Sequence, residues 1–165
     1  METDPVEANT AVPDAWLDGW FDGYLTAIIG VSVFGGQITF SVALSDLPDP
    51  ADIIPSPFFQ RQMVRTFVTV SWLLFMFTLA IALFAKMIFS ENTTRYWVRA
   101  IFGATGLRRI VATMMLLLQE LPVVAFLFLA LSITAYVPVV GWIGVGSVSL
   151  FAAFIAVLWI MLWCQ

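Results

Sequence analysis

The sequence predicts an all-α integral membrane protein with four transmembrane helices, preceded by a short amphipathic acidic N-terminal helix. Three observations predict it. Hydrophobic residues make up 61% of the chain and charged residues 11%, against roughly half and a quarter in soluble domains, so the bilayer must solvate much of the surface. The apolar residues gather into four stretches, each long enough to cross about 30 Å of hydrocarbon at 1.5 Å per helical residue. The charges fall mostly between those stretches, acids largely before position 53 and every base after position 60.

Residues 1–23 read as an acidic tail and an interfacial helix, and 24–165 as the four-span domain, with spans near 24–45, 63–89, 109–134 and 141–163. Pro5, Pro13 and the acids of 1–13 predict a disordered tail. Asp14 is placed to cap the helix that follows. Asp14, Asp18 and Asp22 are spaced four apart and form one acidic stripe. Trp16, Leu17, Trp20, Phe21 and Tyr24 form an aromatic face suited to the membrane boundary.

The first span ends at LPDPADIIPSP, whose prolines and aspartates predict an extended acidic loop. The second span carries Thr69, Ser71 and Thr78, expected to bond back to their own helix, and Lys86, expected to snorkel at its end. Residues 90–109 form a basic connector with Arg95, Arg99, Arg108 and Arg109, part of it lying on the membrane and interrupted at Gly103 and Gly106. The third span reads as a long helix from Arg108 to about Thr134, bent at Pro122; a start near Leu121 is the alternative. TAYVPVVG then makes a tight connection into the fourth span, which Trp159 and Trp163 anchor.

The bases of the middle connector place it, and both termini, in the cytosol. The sequon Asn92-Thr93-Thr94 points the other way, and the charge bias outweighs it. A single cysteine and no histidine exclude a disulfide framework, a four-cysteine zinc site and the commonest ligand for haem and catalytic metals. No cofactor is implied, and the reading is of a non-enzyme. The net charge of −4 leaves no basic footprint for nucleic acid.

The first span carries the functional expectation. Ser32, Gly36, Thr39, Ala43 and Asp46 recur at intervals of three or four, a strip fit either for close helix packing with Gly35 or for a narrow polar pore wall. A second strip runs from Asp22 through Thr26, Gly30 and Val33 toward Gln37. In a symmetric homo-oligomer built around this helix, Asp22 or Asp46 becomes a ring of carboxylates that attracts cations. Glu120 is the only acid inside a span. It is either an ion-pathway group or a protonated acid bonded to a neighbouring Ser, Thr or Gln. Gly144, Ser149 and Ala153 give the fourth span a small-residue packing surface. Cys164 is a free thiol open to palmitoylation, and Arg61 and Arg65 are placed to pair with the acidic loop.

GVSVFGGQITFSVALSDLPDP, followed by a polar gap and a second apolar span, resembles the start of the plant PGG-type four-span domain. Thr39, Phe40 and Ser41 match that family's stretch, whereas Leu47-Pro48-Asp49-Pro50 stands where its Pro-Gly-Gly should be. The plan of four spans, cytosolic termini and an acid closing the first helix is similar to that of Orai-type calcium channels, with acids in place of their basic first-helix extension. The expectation is thus a homo-oligomeric, cation-preferring channel lined by the first span, in contact with the lipid bilayer. The alternative is an accessory subunit of a larger membrane complex.

Overall fold

Inside a bilayer every backbone N–H and C=O needs a partner within the protein, and a helix supplies it locally. The chain follows that rule. A computed structural model describes residues 12–55, 58–90 and 92–163, and its elements are all helical: α1 (Val12–Leu44), α2 (Pro50–Ile53), α3 (Arg61–Ser90), α4 (Asn92–Thr134) and α5 (Pro138–Trp163). Among the described residues, four segments are long and apolar enough to span a membrane: Gly19–Leu44, Arg61–Ile88, Arg109–Thr134 and Pro138–Met161. The acidic tail before residue 12, Ser56 and Pro57 of the loop, and Cys164 lie outside the described residues. So do the side chains of Asp14, Trp16, Leu17, Asp18, Arg95, Arg99, Arg108 and Trp163.

The long helices alternate in direction. α3 lies between α1 and α4, and α5 packs on the far side of α4. Phe21 and Leu25 of α1, Ala82 and Ala85 of α3, and Leu118 of α4 form a buried cluster near one end. Farther along, Phe75 is fully buried with its ring edge-on to Phe126, the centroids 5.3 Å apart. Ser71 Oγ donates to the Ala125 carbonyl at 2.8 Å, and Tyr24 Oη donates to the Met115 carbonyl at 3.0 Å. These two bonds tie α3 and α1 to the stretch of α4 around Pro122, which has no N–H to offer the Leu118 carbonyl.

Several expectations change. The acidic amphipathic segment is not a separate helix but the first turns of α1, which begins at Val12, two residues ahead of Asp14. Phe21 leaves the boundary face and joins the core, while Trp20 stays exposed and stacks on Tyr24. The connector is not broken at Gly103 or Gly106, since α4 is helical from Asn92. A helix-interior glycine costs at most about 1 kcal/mol relative to alanine, too little to stop a helix flanked by good formers. The acidic loop holds one helical turn, α2, whose cap Asp49 accepts from the Ala51 N–H at 3.0 Å with Pro50 at the first position. Ser71 reaches across to α4 rather than back along α3, whereas Thr69 and Thr78 do bond back. α5 starts at Pro138, and Gly141 lies within it, so close to Thr134 that a Cβ there would collide with backbone.

Candidate functional site

The two strips of α1 point in different directions. Ser32, Gly35, Gly36 and Thr39 are buried against α3 within the chain. A Cβ on Gly35 would lie 2.5 Å from the Phe75 ring, and one on Gly36 would lie 2.6 Å from Met76 Cε. Thr39 donates back to the Gly35 carbonyl at 2.8 Å. Ser32, Gly36 and Thr39 therefore form the seam between α1 and α3, and the pore-wall expectation is withdrawn for them. The Ser32 hydroxyl is buried without a hydrogen-bond partner.

The second strip faces outward. Asp22, Thr26, Gly30, Val33 and Gln37 are all exposed, and Ser41 extends the line. No atom lies within 4 Å of a Cβ built on Gly19, Gly23 or Gly30. At 100° per residue these positions share one side of α1, turned away from the Ser32–Thr39 seam. The Gln37 amide has no hydrogen-bond partner among the described residues. An unpaired amide moved from water into hydrocarbon costs about 4–8 kcal/mol on a cyclohexane scale.

Ion pairs sit at both ends of the α1–α3 hairpin. Near the start of α1, Lys86 Nζ lies 3.1 Å from Asp22 Oδ1 and donates to Thr26 Oγ1 at 3.0 Å. At the opposite end Arg61 pairs with Asp46, and Arg65 lies 3.5 Å from the same carboxylate. The Arg61 and Arg65 pairing was legible in the sequence; the partner of Lys86 was not. Tyr136 Oη donates to the Pro48 carbonyl at 3.1 Å, joining the α4–α5 turn to the loop between α1 and α3. Burial raises the Tyr136 pKa.

Glu120 is half-buried, with no hydrogen bond or ion pair to its carboxyl group among the described residues, so the expected Ser, Thr or Gln partner is not found there. It lies about 16 Å along α4 from Arg109 at 1.5 Å per residue, near the middle of the span. On α5, Gly144 packs against Ala130, while Ser149 and Ala153 are exposed. A groove of about 420 Å³ opens between α1, α4 and α5, lined by Tyr24, Ile28, Gln119, Phe126, Ser147 and Phe151 among others. It is apolar, and its Tyr24 and Ser147 hydroxyls are spent on backbone carbonyls. Among the described residues no three metal-ligating side chains converge.

These observations define a class: an all-α, multi-pass membrane protein whose spans form one antiparallel four-helix unit. Protein-family models, curated proteins and solved structures give no match to the chain.

Proposed function

We propose that the chain is a subunit of a homo-oligomeric membrane channel, with the outward strip of α1 facing the central path. The observation that carries this reading is the exposed, unbonded Gln37 on a side of α1 shared with Asp22, Thr26, Gly30 and Ser41. Polar groups on a lipid-facing surface are costly, and they become favourable when neighbouring subunits enclose them around water. The strip has only Val33 as an apolar member between Asp22 and Gln37. It ends at a carboxylate 63% exposed, which favours cations. The middle connector and both termini face the cytosol in this reading.

The test uses mass in nanodiscs together with cross-linking. The chain has one cysteine, so Cys164→Ser gives a clean background for Gln37→Cys and, as a buried control, Ser32→Cys. Intersubunit disulfides at position 37 but not at 32, and block of ion flux by a water-soluble thiol reagent at 37, are the expected results. A monomer in nanodiscs sinks the reading.

The accessory-subunit reading draws on a separate observation. Asp46 is shared by two arginines and Asp22 is paired with Lys86, so both acidic ends serve to close the hairpin. That reading gains if the chain forms oligomers yet passes no ions in reconstituted bilayers.

A further inference from the structure

We propose that Lys86 sets the ion selectivity of the path by masking the Asp22 carboxylate. The inference rests on the channel reading given above. Lys86 belongs to α3, yet its ammonium reaches around to α1 and holds two members of the outward strip, Asp22 at 3.1 Å and Thr26 at 3.0 Å. Its side chain is 38% exposed, so the contact lies at the edge of the strip rather than in the core.

Symmetry multiplies this arrangement. Each subunit brings one Asp22 and one Lys86 to the same level, so a ring of carboxylates is matched by a ring of ammonium groups just behind it. Charge at a mouth acts through its net value over a Debye length, about 8 Å at physiological salt. The Asp22–Lys86 separation is well inside that length. Asp22 thus contributes a local dipole and a weak field, and the cation preference of the wild-type path is modest. Removal of Lys86 leaves the carboxylate ring uncompensated, whereas removal of Asp22 leaves the ammonium ring. The two single changes therefore push selectivity in opposite directions, a signature that a purely structural pair would not produce. The Asp46 end differs, because two arginines share one acid there.

The experiment measures reversal potentials of the reconstituted full-length protein in planar bilayers under a KCl gradient. Lys86→Met is expected to raise the K⁺ over Cl⁻ permeability ratio roughly tenfold, the low end of what a charged mouth does to local counter-ion concentration. Lys86→Gln carries the same expectation should the methionine variant fail to fold, and Lys86→Arg keeps the wild-type ratio. Asp22→Asn shifts the ratio toward Cl⁻, and the Asp22→Asn/Lys86→Met double variant returns it near wild type. Conductance with an unchanged ratio in Lys86→Met and Lys86→Gln overturns the inference and leaves the channel reading standing. Absence of conductance in the wild-type protein overturns both.

Discussion

Gly35→Ala tests whether the small residues of α1 serve packing within the chain. The added methyl would sit 2.5–2.7 Å from three carbons of the Phe75 ring, and the ring has nowhere to retreat. It is fully buried and meets Phe126 edge-on. Overpacking of this kind costs about 1–3 kcal/mol, partly offset by the 0.5–1 kcal/mol or so that alanine gains over glycine in a helix. The expected net loss is about 0–2.5 kcal/mol. In a Phe75→Ala background, itself destabilised by about 3–5 kcal/mol, the clash is gone and Gly35→Ala becomes neutral or stabilising. The coupling between the two positions is therefore expected to reach about 1–3 kcal/mol, within the range measured for residues in contact. Unfolding in mixed micelles with a rising fraction of denaturing detergent, applied to all four proteins, measures it. Equal cost of Gly35→Ala in both backgrounds would refute the contact as the reason for the glycine. Gly30→Ala is the control: its Cβ meets nothing within 4 Å, so stability of the single chain holds or rises by up to about 1 kcal/mol.

Ser32→Ala removes a buried hydroxyl without a partner and is expected to be neutral or stabilising in the same assay. A loss above about 1 kcal/mol would show that the hydroxyl is bonded in the membrane. Ser71→Ala and Tyr24→Phe each delete a bond to an α4 carbonyl; each is expected to cost about 0.6 kcal/mol and at most about 1.7, the span seen for bonds between membrane helices. Asp46→Asn breaks pairs to a carboxylate 91% exposed, so the unfolding midpoint should move little and the difference should vanish in high salt. Glu120→Gln should leave helix content and unfolding unchanged, as no partner within the described residues holds the carboxyl group; marked destabilisation would reveal a paired charge.

The spans were legible in the sequence because hydropathy over some twenty residues reports directly on the solvent, and the bilayer is the solvent here. Which side of α1 faced what was not. Ser32, Gly36 and Thr39 announce a close approach, but small-residue spacing is the same for a neighbour in the chain, a neighbour in another subunit or a water path. Only the positions of Phe75 and Met76 resolve it. The sequence reads Lys86 as lying near a helix end, but its partner lies 64 residues away (86 minus 22) and nothing local marks it. The α2 turn had a readable signal, Asp49 followed by Pro50, which is a cap and a first-turn proline. The proline-rich surroundings obscured it. Gly103 and Gly106 do not break α4, because their cost is small against a continuous hydrogen-bonded ladder.

The two ion pairs of the α1–α3 hairpin also act as a gauge. From Asp22 to the end of α1 at Leu44 is about 33 Å of helix, with Asp46 just beyond it, and Arg65 and Lys86 mark a distance of about 32 Å on the facing helix. The charges at the two ends bound an apolar band of about that height. A membrane thinner than that band must be met by tilting the whole hairpin, and a thicker one by local thinning, each at a fraction of a kcal/mol per Å. The length between the charged ends of the hairpin is thus close to the common 30 Å of hydrocarbon, with a few Å left for tilt.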